Sequence, residues 1–211
     1  ELEKTTYNAF LASLNPDVSS FSKYCPLEGI RGAGVGQCGM TINCCIANGP
    51  RGFFMLPEAA VMSNAGELAV NLYEDLQAQA TLKDGLDVAL AISGNYPANN
   101  RVCIAVTPSA KATWSLLLRI PAWSAVTSVT INGAALDGVN AGSYCRIERA
   151  WQVGDVVELV FDFSCRVAEL NRCLALQRGP LVLARDARFN DGDIDAAVLV
   201  PGDQPLELAT A

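Results

Sequence analysis

Two hydrophobic periods divide this chain, and they meet near Gly66. Ahead of that point the apolar residues either recur at helical spacing or are diluted by glycine. Leu2, Tyr7, Phe10, Leu11 and Leu14 give residues 1–14 a rough helical face, which Asn15-Pro16-Asp17 ends. Residues 19–25 read as extended and 26–40 as a Gly-rich loop. A second helix is predicted from about Asn43 to Met62, with Phe53, Phe54, Leu56, Ala60 and Val61 on its buried face. Pro50 kinks this helix or opens a fresh first turn, and Pro57 lies further along the same segment. Ser63-Asn64-Ala65-Gly66 closes it as a turn.

After Gly66 the pattern is that of strands. Alternating or continuous apolar runs occupy Leu68–Tyr73, Gln77–Leu82, Asp87–Ile92, Val102–Val106, Thr113–Ile120, Ser128–Ile131, Tyr144–Glu148 and Val156–Phe163. Asp84-Gly85, Asn132-Gly133 and Gly154-Asp155 punctuate them as turns. Short strands with no helix between them predict an antiparallel β-sandwich. Beyond Arg166, Cys173–Leu176 and Leu181–Ala184 are strand-like, with Gln177-Arg178-Gly179-Pro180 between them, and Val198–Val200 adds a further short run. The expected organisation is a helical segment over 1–65, the sandwich over 66–165, and the start of a second, incomplete β domain over 166–211.

Composition narrows the function classes. The 211 residues are 51% hydrophobic and 18% charged, enough for a packed core. Fifteen Lys and Arg against 22 Asp and Glu give a net charge of −7 with no basic cluster, which argues against a nucleic-acid partner. No apolar run approaches the roughly 20 residues of a membrane span. The sequence contains no histidine, so Ser-His-Asp triads, Cys-His dyads and His-bearing zinc sites are excluded within it. Its first residues read as the inside of a helix and no signal peptide is visible, so we expect a C-terminal piece of a longer protein.

The cysteines carry the candidate chemistry. Cys103, Cys145, Cys165 and Cys173 sit singly in apolar runs and read as buried small hydrophobes. Cys25, Cys38, Cys44 and Cys45 fall in and beside the Gly-rich loop. They lack the paired Cys-x-x-Cys knuckles of a self-contained zinc site. The adjacent Cys44 and Cys45 are poorly placed to bridge each other. They suit two thiolates on one metal, or one on a metal and one for chemistry. Paired free thiols also fit a reducing, cytoplasmic compartment better than an oxidising one. Glu28 and Glu58 read as solvated, Trp123 and Trp151 as sandwich core, and Arg119 as a buried or interdomain salt-bridge partner. Asp191, Asp193 and Asp195 alternate as in a calcium loop but lack the distal glutamate of an EF-hand.

The residues around the pair resemble a known family. Gln37-Cys38-Gly39-Met40 and Asn43-Cys44-Cys45-Ile46-Ala47-Asn48-Gly49-Pro50-Arg51 are similar to the loop and helix that close the catalytic (α/α)6 barrel of glycoside hydrolase family 127, the β-L-arabinofuranosidase-like proteins. Glu3-Lys4 through Tyr7-Asn8 resembles a late barrel helix. Val70-Asn71-Leu72-Tyr73, Arg119-Ile120-Pro121-Ala122-Trp123, Ile131-Asn132-Gly133, Trp151-Gln152-Val153-Gly154-Asp155 and Leu176-Gln177-Arg178-Gly179-Pro180 follow in the family's order. The resemblance implies a mainly β chain, an antiparallel sandwich preceded by a helical remnant of the barrel. It implies Cys44 as nucleophile and zinc ligand and Cys45 as a second zinc ligand. The remaining ligands of the Zn2+ site, a glutamate and a cysteine, would lie upstream with the acid/base glutamate. It implies an arabinose-containing or related glycan as substrate, and the missing N-terminal catalytic barrel as partner. The chain alone would then be inactive. The other reading is a non-catalytic β-sandwich, structural or carbohydrate-binding.

Overall fold

The computed structural model describes residues 1–14, 21, 44–170 and 173–184. The expectations for the Gly-rich loop, Cys25, Cys38, Glu28, the alternating aspartates and Val198–Val200 lie outside those residues.

The chain opens on helix α1 (Leu2–Thr5), which continues as a π-helical stretch over Thr6–Phe10 and a 3-10 turn over Leu11–Ser13. Leu14, with ψ of 142°, turns the backbone extended just before Asn15-Pro16 and bridges to Phe21. Helix α2 (Cys44–Ala60) passes through both Pro50 and Pro57. An interior proline removes a hydrogen bond and costs about 3 kcal/mol or more, so this helix depends on its packing. Its inner face is made close by glycine. A Cβ on Gly49 would stand 2.4 Å from the Phe21 ring, and one on Gly52 2.6 Å from Phe10. Phe53 stacks on Phe10 with ring centroids 4.2 Å apart. The expected inner face is therefore corrected at two positions: the helix ends at Ala60 and Val61 opens a strand, and Phe54 points outward and is 77% exposed, because it lies about 100° around the helix from Phe53.

Among the described residues, thirteen strands follow. Strands β1 (Val61–Asn64), β2 (Glu67–Val70), β6 (Ala112–Arg119) and β9 (Tyr144–Trp151) form one sheet in that order. Strands β3 (Leu76–Thr81), β4 (Asp87–Ser93), β5 (Arg101–Pro108), β10 (Asp155–Val160), β7 (Ser128–Ile131) and β8 (Ala134–Ala135) form the second, also in that order. The pairing is antiparallel except between β2 and β6, where Glu67 to Val70 run parallel to Ser115 to Leu118. That exception follows from connectivity. After β2 the chain crosses to the other sheet for three strands before β6 returns, and a parallel pair requires such a long crossover.

Period-two alternation gives each sheet one apolar face. Val102, Ile104 and Val106 of β5 are fully buried while Cys103, Ala105 and Thr107 are not. Leu90, Ile104, Leu116, Leu118, Ile147, Val157 and Leu159 come from both sheets and pack into one core with Trp151 and Trp114. Trp151 is completely buried and its Nε1 donates to the Trp114 carbonyl at 3.1 Å. The expectation for Trp123 and Trp151 as core residues is met.

The turns explain two of the sequence signatures at once. Asn132 and Gly133 both have positive φ, 50° and 81°, as a two-residue hairpin between β7 and β8 requires. The Asn132 amide donates to Asp155 Oδ1 at 2.8 Å, and its oxygen accepts the Val156 N–H at 2.8 Å. Asp155, 1% exposed, also accepts the Gln152 N–H at 3.0 Å. The Asn-Gly and Trp-Gln-Val-Gly-Asp motifs are thus one hydrogen-bonded staple. Burial opposes the Asp155 charge. The Asn132 and Gln152 hydrogen bonds, helped by Arg149 and Lys111, outweigh it and hold the carboxyl below the usual range.

A third, three-stranded antiparallel sheet runs β11 (Cys165–Leu170), β12 (Cys173–Arg178) and β13 (Leu181–Leu183). Sequence pattern placed β12 and β13 but missed β11, and it read β1 as helix end and turn. Both are strands whose alternation is weak and whose pairing is supplied by the neighbouring strand.

Candidate active site

Cys44 and Cys45 fall in the first turn of α2. The positive end of a helix dipole favours thiolate over thiol. The helix is ~25 Å long at 1.5 Å per residue, and its far end is fixed to the sandwich. The Ala60 carbonyl accepts the N–H groups of Asn71 and Leu72 at 2.8 and 3.3 Å, and the Asn71 side chain donates to the Ala59 carbonyl at 2.9 Å. These carbonyls have no partner within their own helix. The segment just after β2 satisfies them, so the sandwich sets where the thiol-bearing helix points.

The same segment leads into a buried polar junction. Glu3 of α1 is 5% exposed and accepts three hydrogen bonds: Tyr96 Oη at 2.6 Å, Arg119 Nη2 at 2.7 Å and Trp123 Nε1 at 3.1 Å. Arg119 also donates through Nε to the Asn71 carbonyl at 2.5 Å, and its own carbonyl accepts Tyr73 Oη at 2.7 Å. Arg119 is therefore an ion-pair partner, as its sequence context suggested, although it is half-buried and the fully buried member of the pair is Glu3. Burial works against its charge, but the Glu3 pairing outweighs that and raises its pKa.

The tyrosines around Glu3 are proton holders rather than acid/base groups. Burial first, then the charge and hydrogen bond of Glu3, push Tyr96 above its ordinary value. Burial first, then the hydrogen bond to Glu74, does the same for Tyr7. Burial raises Tyr73 against the opposing pull of Arg119. Each stays a neutral donor near neutral pH.

Glu3 was not singled out from sequence, although a signal existed. It shares the i, i+4, i+7 stripe of Tyr7 and Phe10, and a lone carboxylate in an apolar helical stripe needs a partner. Glu58 is exposed, as expected. Cys145 is buried, but Cys103 and Cys165 are only half-buried, which corrects the expectation for those two. Burial raises the Cys145 thiol, and burial together with Glu158 raises Cys103, so both stay protonated near neutral pH. Among the described residues no three His, Cys, Asp or Glu side chains gather as a metal cluster.

Comparison with known proteins agrees with this architecture. Residues 67–163 match the family described as beta-L-arabinofuranosidase, GH127 middle domain. A GH127 beta-L-arabinofuranosidase from Geobacillus stearothermophilus T6 superimposes with a TM-score of 0.72 at 27% identity, over 85% of this chain and 31% of that one. A glycoside hydrolase follows with 0.69 at 26% identity, over 85% and 32%. A GH127 beta-arabinofuranosidase gives 0.69 at 25% identity over the same shares. The chain thus spans about a third of the length of these solved relatives. No curated protein matches it. Residues 67–163, somewhat less than half of the chain, are thus similar to the GH127 middle domain of beta-L-arabinofuranosidases.

Proposed function

We propose that this chain is part of a retaining glycoside hydrolase acting on arabinose-containing or related glycans, with Cys44 as the nucleophile. The observation that carries this reading is the adjacent thiol pair in the first turn of a helix fixed, at its other end, to a GH127 sandwich. The helix end lowers the free energy of a thiolate, the reactive form of cysteine. The Cys44 sulfur would form a bond to the anomeric carbon as the glycosidic C–O bond breaks. A carboxylic acid supplied from upstream would protonate the departing oxygen. Its carboxylate would then take a proton from water as that water displaces the sulfur and restores the original configuration.

A zinc ion fits the donor set in part: Cys44 and Cys45 are two soft ligands, and a closed site takes four. When bound, zinc would keep the thiols ionised near neutral pH. The segment 1–65 is read as the end of an (α/α)6 barrel, with its other helices upstream.

The test is a longer protein that includes the upstream region. Cys44→Ser should lower hydrolysis of an aryl β-L-arabinofuranoside by at least ~10³-fold with the melting temperature unchanged, because serine is neither an equal ligand nor an equal nucleophile. Cys45→Ser should lower both zinc content and rate. Near wild-type turnover in Cys44→Ser would make the pair structural. A second reading, a non-catalytic sandwich, is favoured by the family match falling on 67–163 rather than on the thiols. It predicts that the longer protein has no hydrolytic activity toward any arabinofuranoside.

A further inference from the structure

A groove of about 460 Å³ runs where α1, the sandwich and the third sheet meet. Among the described residues its charged lining is Lys4 and Arg166, with no carboxylate. That is unusual in a chain carrying −7. Lys4 forms no ion pair among the described residues. Arg166 is held by uncharged partners: the Trp123 carbonyl, Gln177 Oε1 at 3.4 Å and the Gly179 carbonyl at 3.4 Å. Those three contacts fix the guanidinium plane and leave two of its five N–H groups over. The Gln177 amide nitrogen and the Lys4 ammonium have no hydrogen bond among the described residues. Asp162 feels Arg166 as the lesser influence after its Ser164 hydrogen bonds, but it does not line the groove.

The floor is different in kind. Ala122, Trp123, Pro180 and Val182 present carbon to the same space. A neighbouring groove, which shares Lys4, Ala122 and Trp123 with it, shows the contrast. Glu1, Glu3, Lys4 and Arg119 line it together, so its charges are of both signs, and its arginine is already paired with Glu3. A site with unspent donors and two cations on one rim, over an apolar floor, matches a ligand with a carboxylate at one edge and a C–H face at the other.

We infer that the groove between Lys4, Arg166 and Trp123 binds a uronic acid residue, a sugar bearing a carboxylate. The inference rests on the reading that this protein handles glycans, and adds an acidic sugar to it at a groove whose described lining contains no cysteine. Arg166 would take the carboxylate through its free N–H groups, Lys4 would add charge at the rim, and the ring face would lie on the floor. Pairing with a guanidinium fixed in advance loses less freedom than pairing with a mobile one.

The experiment is calorimetric titration of the full 211-residue chain with sodium D-glucuronate, methyl D-glucoside and sodium acetate. Glucuronate should bind measurably more tightly than either comparator, and added salt should weaken it. Arg166→Gln should reduce glucuronate affinity about tenfold, the size of a charged hydrogen bond. Because Arg166 also holds backbone carbonyls, Lys4→Gln is the second variant. Its side chain makes no pairing that folding needs, and it should reduce affinity about threefold with no change in melting temperature. No glucuronate binding, or equal binding of acetate, overturns the proposal; so does binding that neither variant weakens. The readout is binding and not hydrolysis, so its failure is distinct from a failure of the thiol assignment.

Discussion

The sandwich core and the α1–α2 flank are held by different forces. In the core, Leu116, Leu118, Ile104 and Leu159 are at most about 1% exposed, and apolar area from two sheets is removed from water at once. In the flank, a few aromatic contacts and one buried carboxylate hold α1 and α2, while Phe54, Met55 and Leu2 remain about half or more exposed. The sandwich closes on itself, whereas the flank buries only one side of its helices. The difference teaches where polar specificity matters. A non-directional core tolerates small shifts, but a thin helical layer takes its position from Glu3, Asn71 and Arg119.

The strongest way to break the comparison is from the core side. Trp151→Ala should destabilise the whole chain by about 3–5 kcal/mol and melt flank and sandwich together. A denaturant transition shifted by much less would mean that the core is not the common foundation.

Next comes the junction. Glu3→Ala strands Arg119 without its carboxylate and should cost about 3–5 kcal/mol locally. The loss should appear as faster hydrogen exchange in residues 2–13, with β4 and β5 still protected. Uniformly faster exchange would show that α1 and the sandwich unfold as one unit.

The two regions should also fail at opposite ends of the pH scale. Asp155 has a depressed folded pKa, so its stabilising contribution is complete above the unfolded value near 3.9 and fades as pH falls through the folded one. Asp155→Asn should flatten the acid slope and remove about 1–3 kcal/mol at neutral pH. Tyr96 and Tyr7 have raised values, so their contribution is complete below the unfolded value near 10 and is lost as pH rises above it. Alkaline titration should therefore loosen α1 first, and Tyr96→Phe should blunt that loss. Alkaline unfolding that starts in β4 and β5 would contradict the assignment.

The smallest effect on stability is on the exposed face. Phe54→Ser should change the melting temperature little, within about 0.5 kcal/mol, but should reduce self-association and binding of apolar dyes. Unchanged light scattering in this variant would show that the exposed aromatic does not drive association.

Much of this was legible in the order of residues. Alternation at Val102, Ile104 and Val106 fixes an inward face because successive side chains on a strand point oppositely. Asn132-Gly133 declares its turn because two consecutive positive φ angles suit few other pairs. The adjacency of Cys44 and Cys45 singles out those thiols, and the run of motifs carries the resemblance to GH127. Tertiary structure alone decided the partners. The parallel pairing of β2 with β6 depends on a crossover between sheets, which no local period records. Asn132 and Asp155 are far apart in sequence but form one staple, since hydrogen bonds are set by distance in space. Glu3 reads as an ordinary surface acid until Tyr96, Arg119 and Trp123 converge on it from across the chain. The sign and strength of a charge's contribution depend on that surrounding, and only the folded chain supplies it.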